Sequence, residues 1–170
     1  MKKIIFLSFS ILIVLLFIQI DAFACGCAGR VEDVTKAVTE DFNRASVVFS
    51  GKVVSSRFLP IIKKDVSGKE IKAENLVFKF AADSWWKGKS RDEIILDTSQ
   101  FRYPSLGYGS IGSNCEYNFE AGKKYLIYAV ISKGKLIANQ CSGTTRIENA
   151  EKDIKELQKL KIVKTKNLSR

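Results

Sequence analysis

The chain has 170 residues, 46% hydrophobic and 11% aromatic, with a formal net charge of +10 and no histidine. That is enough for an export segment and one packed domain, too apolar for disorder, and without solenoid-like repeats. Lacking histidine, it has no Ser-His or Cys-His nucleophile pair and no imidazole metal site. No compact carboxylate constellation takes their place, so the chain reads as a non-enzyme that needs no cofactor.

Residues 1–24 have the three parts of a signal peptide. Lys2 and Lys3 form the charged start, Ile4 to Ile20 the apolar run, and Ala22-Phe23-Ala24 an A-x-A cleavage site. The run falls short of the roughly 20 residues of a spanning helix, so no membrane span is expected after cleavage. Losing Lys2, Lys3 and Asp21 leaves a mature charge of +9. The expected location is periplasmic or extracellular, with Cys25 as the new N-terminus. Lipoprotein anchoring at Cys25 is the minor alternative, because Ala22 and bulky Phe23 fit ordinary cleavage better than a lipid-attachment signal.

Four cysteines remain, Cys25, Cys27, Cys115 and Cys141. An even number in an exported domain indicates disulfides, and Cys-Gly-Cys lacks the spacing of a structural zinc site, so no metal is expected on the isolated protein. Cys25 and Cys27 are poor partners for each other. Two pairings stay open, 25–115 with 27–141 or 25–141 with 27–115. Either one ties the N-terminus to distant parts of the domain, and a loop of roughly 90 residues is worth about 4–5 kcal/mol on the chain-entropy account.

Val31, Val34, Val38, Phe42 and Ala45 recur at helical spacing and predict a short N-terminal helix. The period then changes to two. Val47, Phe49 and Val53 mark a strand within Ser46–Ser56, with Gly51 as a bulge or bend. Leu76 to Asp83 predicts a second strand, Ile94 and Leu96 a third, and Tyr125 to Ile131 a buried fourth. Ser132-Lys133-Gly134-Lys135 turns into a fifth, Leu136 to Cys141. A C-terminal amphipathic helix is expected from Thr145, with Glu148 completing a capping box and Ile147, Ala150, Ile154, Leu157 and Leu160 on its buried face.

Two segments break the pattern. Phe58 to Ala73, lysine-rich and containing Ser67-Gly68, is expected to be a solvated loop. Ser99 to Asn114 carries Phe101, Tyr103 and Tyr108, which suit either a contact surface or a cap on the end of the fold. Five strands with helices outside them predict a mainly β domain, a small closed barrel of the OB type, with its N-terminus stapled by disulfides. The domain is assigned to residues 25–162, followed by a polar basic tail over 163–170.

These residues resemble a known family. Cys25-Gly26-Cys27 behind a cleavage site is followed by Ala45-Ser-Val-Val-Phe-Ser-Gly-Lys-Val-Val54 and Trp86-Lys-Gly88. Then come Cys115-Glu-Tyr-Asn-Phe-Glu-Ala-Gly-Lys-Lys-Tyr-Leu-Ile-Tyr128 and Cys141. Over most of residues 25–145 this is similar to the netrin-like module of the tissue inhibitors of metalloproteinases, in a single-domain bacterial form. The resemblance implies an OB-like barrel and the pairing Cys25–Cys115 and Cys27–Cys141. It also implies that the α-amino group and carbonyl oxygen of Cys25 chelate the catalytic zinc of a target metalloprotease. Gly26 then stands where the family sends a side chain into the protease's specificity pocket. Ala28 and Gly29 replace a proline common after Cys-x-Cys, and the third disulfide of the animal domains has no cysteines here. The expected function is therefore metalloendopeptidase inhibition. The alternative is a non-inhibitory secreted module whose charge holds an anionic glycan, an envelope polymer or a partner protein; nucleic acid ranks behind these because the chain is exported.

Overall fold

The computed structural model describes residues 29–107, 109, 112, 115 and 117–168, with side chains described as far as Lys161. The export segment, Cys25, Gly26 and Cys27, and Tyr108 lie outside the described residues. The chain is mainly β: helix α1 (Val34–Arg44), strands β1 (Val47–Lys64), β2 (Glu70–Lys87), β3 (Glu93–Arg102), β4 (Lys124–Ser132), β5 (Lys135–Ile137) and β6 (Thr145–Arg146), then helix α2 (Glu151–Leu168). Single 3₁₀ turns occupy Pro104–Leu106 and Ile147–Asn149. Among the described residues no helix is long and apolar enough to cross a membrane.

Five strands form a closed ring in the order β1-β2-β3-β5-β4, because β4 pairs back onto β1. All contacts are antiparallel except a parallel bridge from Asp97 of β3 to Ile137 of β5. The β4–β5 hairpin turns on Lys133 and Gly134, at φ 50° and 77°. Both central residues of a tight hairpin turn need this left-handed backbone, which favours glycine at the second.

Strict alternation in β1 and β4 divides the core in two. Phe49, Val53, Tyr125, Ile127 and Ala129 face inward with Phe78, Phe80, Ile94, Leu96 and Phe119. Val48, Leu126 and Tyr128 face outward and are covered by Val38 and Phe42 of α1 and by Ala150 and Leu157 around α2. The inner core is aromatic: Phe49 meets Phe80 edge-on at 5.9 Å and stacks on Trp85 at 5.1 Å, while Phe119 touches Phe78, Phe80 and Tyr125. Each such side chain fully buried contributes about 1.5–3 kcal/mol of apolar transfer.

The Trp86-Lys-Gly88 block joins these layers. Trp86 packs in the outer cluster. Lys87 Nζ donates to the carbonyls of Phe42 and Asn43 at 2.7 and 3.2 Å, where a cation meets the carbonyls of the last turn of α1. At the other end of that helix, Asp33 Oδ1 caps the Lys36 N–H at 2.9 Å.

Three expectations are corrected. Phe58–Ala73 is not a loop: β1 and β2 continue through it as a two-stranded ribbon, with partners from Phe58↔Leu76 to Lys64↔Glu70. Its turn is closed by Asp65, whose Oδ1 accepts from Ser67 N–H, Ser67 Oγ and Lys69 N–H within 2.6–2.9 Å. A ribbon with water around it carries lysine without the apolar alternation that marks a half-buried strand. Thr145 does not cap the C-terminal helix; it pairs with Leu126 as part of β6, Glu148 faces Arg146 at 3.7 Å, and α2 begins six residues later. The fifth strand stops at Ile137 rather than reaching Cys141, because residues 139–142 turn.

Gly51 marks a close approach of β1 to β2. A Cβ there would lie 2.6 Å from the carbonyl oxygen of Ala81, at one of the register shifts between β1 and β2. Gly51→Ala is expected to destabilise the domain by about 1–3 kcal/mol, since backbone on the opposite strand must move. Denaturant unfolding followed by tryptophan fluorescence measures this, and an unchanged midpoint would show that β1 is free to bend elsewhere.

Candidate functional site

The described chain begins beside the ring, at a cluster of charges joining three parts of the fold, the entering segment, α1 and α2. Arg30 Nε donates to Asp41 of α1 at 3.1 Å and its Nη2 donates to Asp153 of α2 at 2.6 Å. Arg44 Nη2 donates to the other oxygen of Asp41 at 2.8 Å. Asp41 and Asp153 are 3% and 5% exposed, so both carboxylates lie out of bulk water and depend on these partners. Burial works against the charge of Arg30, but the hydrogen bond to Asp153 and the two negative charges hold its pKa above the ordinary value.

Tyr128 rises from β4 under this cluster. Its hydroxyl is buried and has no hydrogen-bond partner among the described residues. Burial first, then the charge of Asp153, pushes its pKa up, so it stays a neutral phenol. Gly143, at φ 65°, lies against the Asp41 carboxylate so closely that a side chain would collide with it.

The same end of the molecule carries both described cysteines. Gln140 N–H donates to the carbonyl of Cys115 at 2.9 Å, which brings the backbone of Cys115 against the residue that precedes Cys141. Cys141 N–H is held by Asn139 Oδ1 at 3.0 Å, and Thr144 Oγ1 accepts from Tyr128 N–H at 3.1 Å, so the 139–144 turn is fastened to β4. A cleft of about 530 Å³ runs between Gly29–Val31 on one wall and Gln140, Cys141 and Gly143–Thr145 on the other. No free cysteine occurs among the described residues.

Cys25 and Gly26, the zinc-chelating and specificity positions implied by the resemblance, lie outside the described residues, as does Cys27. Among the described residues no group of three or more His, Cys, Asp or Glu side chains is placed to hold a metal ion. Phe101 and Tyr103 are in edge contact at 5.4 Å, and Lys63 Nζ sits 4.0 Å over the Phe101 ring. They flank the ribbon.

The Arg30 cluster is absent from the sequence reading, although a signal for it exists. Asp41 interrupts the apolar stripe Val34, Val38, Phe42, Ala45, and Asp153 interrupts Ala150, Ile154, Leu157. An acid on the buried face of each of two helices calls for a shared cation. No protein-family model matches the chain, and no curated protein matches its sequence.

Two outcomes are expected from this geometry. Arg30→Leu removes the cation from buried Asp153 and leaves buried Asp41 with Arg44 alone; it should cost about 2–4 kcal/mol of stability, measured by denaturant unfolding, whereas Arg30→Lys should recover part of it. Partial reduction with stepwise alkylation should place Cys27 on Cys141 and Cys25 on Cys115. The crossed arrangement, or two reactive thiols in the unreduced protein, would contradict that expectation.

Proposed function

We propose that this is an exported inhibitor-type protein, an OB-like barrel whose N-terminal Cys25 caps the catalytic zinc of a metalloprotease through its α-amino nitrogen and carbonyl oxygen. The observation that carries the reading is the adjacency of Cys115 and Cys141 at the end of the ring where the chain enters. Cys-x-Cys spans at most about 7 Å of chain, so two bridges from it require two cysteines that are near neighbours. Gly29 shares a cleft with Cys141 and is only two residues beyond Cys27, which supports the pairing Cys27–Cys141 and leaves Cys115 for Cys25.

The chemistry then follows from elementary properties. An α-amino group with a pKa near 8 loses its proton to zinc readily at neutral pH. Two disulfides at residues 25 and 27, and the Arg30 ion pairs just after them, pre-order the segment and reduce the entropy lost on docking. Gly26 offers no side chain to the specificity pocket, so the affinity is modest and little is demanded of the protease beyond an accessible zinc.

The test is inhibition of a panel of zinc metalloproteases by the mature protein, by carbamylated protein and by a form with one alanine before Cys25. Loss of the amine ligand should weaken inhibition on the order of a hundredfold or more. Gly26→Thr should strengthen it about tenfold through apolar burial in the empty pocket. If neither the wild type nor the Gly26 variant inhibits any member of the panel, the zinc-capping function is wrong.

A further inference from the structure

The long first strand has two different lives. From Val48 to Lys52 it is paired on both sides, with β2 and with β4. The last contact on the β4 side is at Val53, whose N–H donates to Lys123 and whose carbonyl accepts from Gly122, both at 2.9 Å. Beyond it, among the described residues, β1 keeps β2 as its only strand neighbour and its other edge is open.

An open strand edge presents a row of backbone donors and acceptors, and proteins blunt such edges unless they serve to pair with something. Val54, Ser55, Ser56 and Arg57 are exposed, and Phe58 and Leu59 are half-buried. Pro60, with no N–H, ends the stretch. The remaining length, Val54–Leu59, is that of an ordinary strand.

Charge selects the occupant. From Val54 to Lys64 the strand carries Arg57, Lys63 and Lys64 and no carboxylate. Arg102, 4.0 Å over the Phe58 ring, is already paired with Glu74 at 2.7 Å, so Arg57 is the charge that this edge offers to a partner. A second copy of this edge would set its own Arg57 against this one, and like charges on paired strands destabilise them. An extended segment bearing Glu or Asp in alternation meets both demands, backbone pairing and charge.

We propose that Val54–Leu59 of β1 is a docking edge for an acidic, extended peptide segment of a partner protein, which adds to the ribbon as a further strand. This edge is independent of the N-terminal reading, since the cysteines and Arg30 take no part in it.

The experiment uses the mature protein and two synthetic peptides of about seven residues, one alternating Glu with Val and one alternating Lys with Val. Amide chemical shifts and hydrogen exchange report on binding at each residue. The Glu peptide should shift and protect amides within Val54–Leu59 and bind at least about tenfold tighter than the Lys peptide. Arg57→Glu, which leaves the strand intact, should remove or reverse that preference, and Ser56→Pro should abolish binding if the variant still folds. Three results would overturn the proposal: no shift at these amides, equal binding of the two peptides, or self-association through this edge. Binding of heparin that leaves the Val54–Leu59 amides unprotected while displacing the Glu peptide would also count against it, as the sign of a charged surface without strand pairing.

Discussion

Residues 48–52 of β1 are paired along both edges, and the rest of the molecule is arranged around that fact. Pairing with β2 alone would leave an open sheet with an aromatic face in water. Pairing with β4 as well turns the sheet into a ring, and Phe49, Phe80, Tyr125 and Phe119 become its interior. The close approach at Gly51 is what lets one strand serve two neighbours whose directions diverge. Outside the ring the same alternation leaves Val48, Leu126 and Tyr128 uncovered, and this is the surface on which both helices settle.

The helices do not rest on apolar contact alone. Asp41 and Asp153 face each other across the layer between α1 and α2, and Arg30 fills the space between them. Breaking such a buried pair costs more than making it contributes, because the carboxylates left behind stay desolvated. The arrangement therefore specifies position more than it adds stability. It brings the entering chain to the side of the ring where residues 139–144 turn and where Cys115 and Cys141 are neighbours. A proposed inhibitory N-terminus depends on that coincidence: helix packing, a half-buried ion cluster and two cysteines far apart in sequence converge on one end of the fold.

The core strands were legible because their inward residues recur at every second position. Val47, Phe49 and Val53, or Leu76, Phe78 and Phe80, announce a period of two, although Val48 and Ser50 between them are buried as well. The apolar run from Tyr125 announces a strand dry on both faces as far as Ala129, with Ile131 exposed. The ribbon beyond Val53 escapes that logic. With solvent around it, residues such as Arg57, Lys63 and Lys72 are as acceptable as isoleucine, and its strands read as loop. Thr145 escapes for a different reason. Its spacing to Glu148 satisfies the local rule for a helix start, but Leu126 and Tyr125 offer Thr145 and Arg146 a strand partner that no local pattern can foresee.

Composition and period alone thus determined a mainly β domain with a helix before and after it, the inward and outward faces of its core strands, the bend at Gly51, and four cysteines suited to bridging. These are properties of short windows, where side-chain volume and polarity act within a turn or a strand. Tertiary structure decided which strands close the ring, that β1 outruns its partner β4 and exposes an edge, and that Arg30 meets Asp41 and Asp153 from 11 and 123 residues away. Such contacts depend on how whole layers pack. Their partners are distant in sequence and close only after the ring has formed, so no local window contains the information that pairs them.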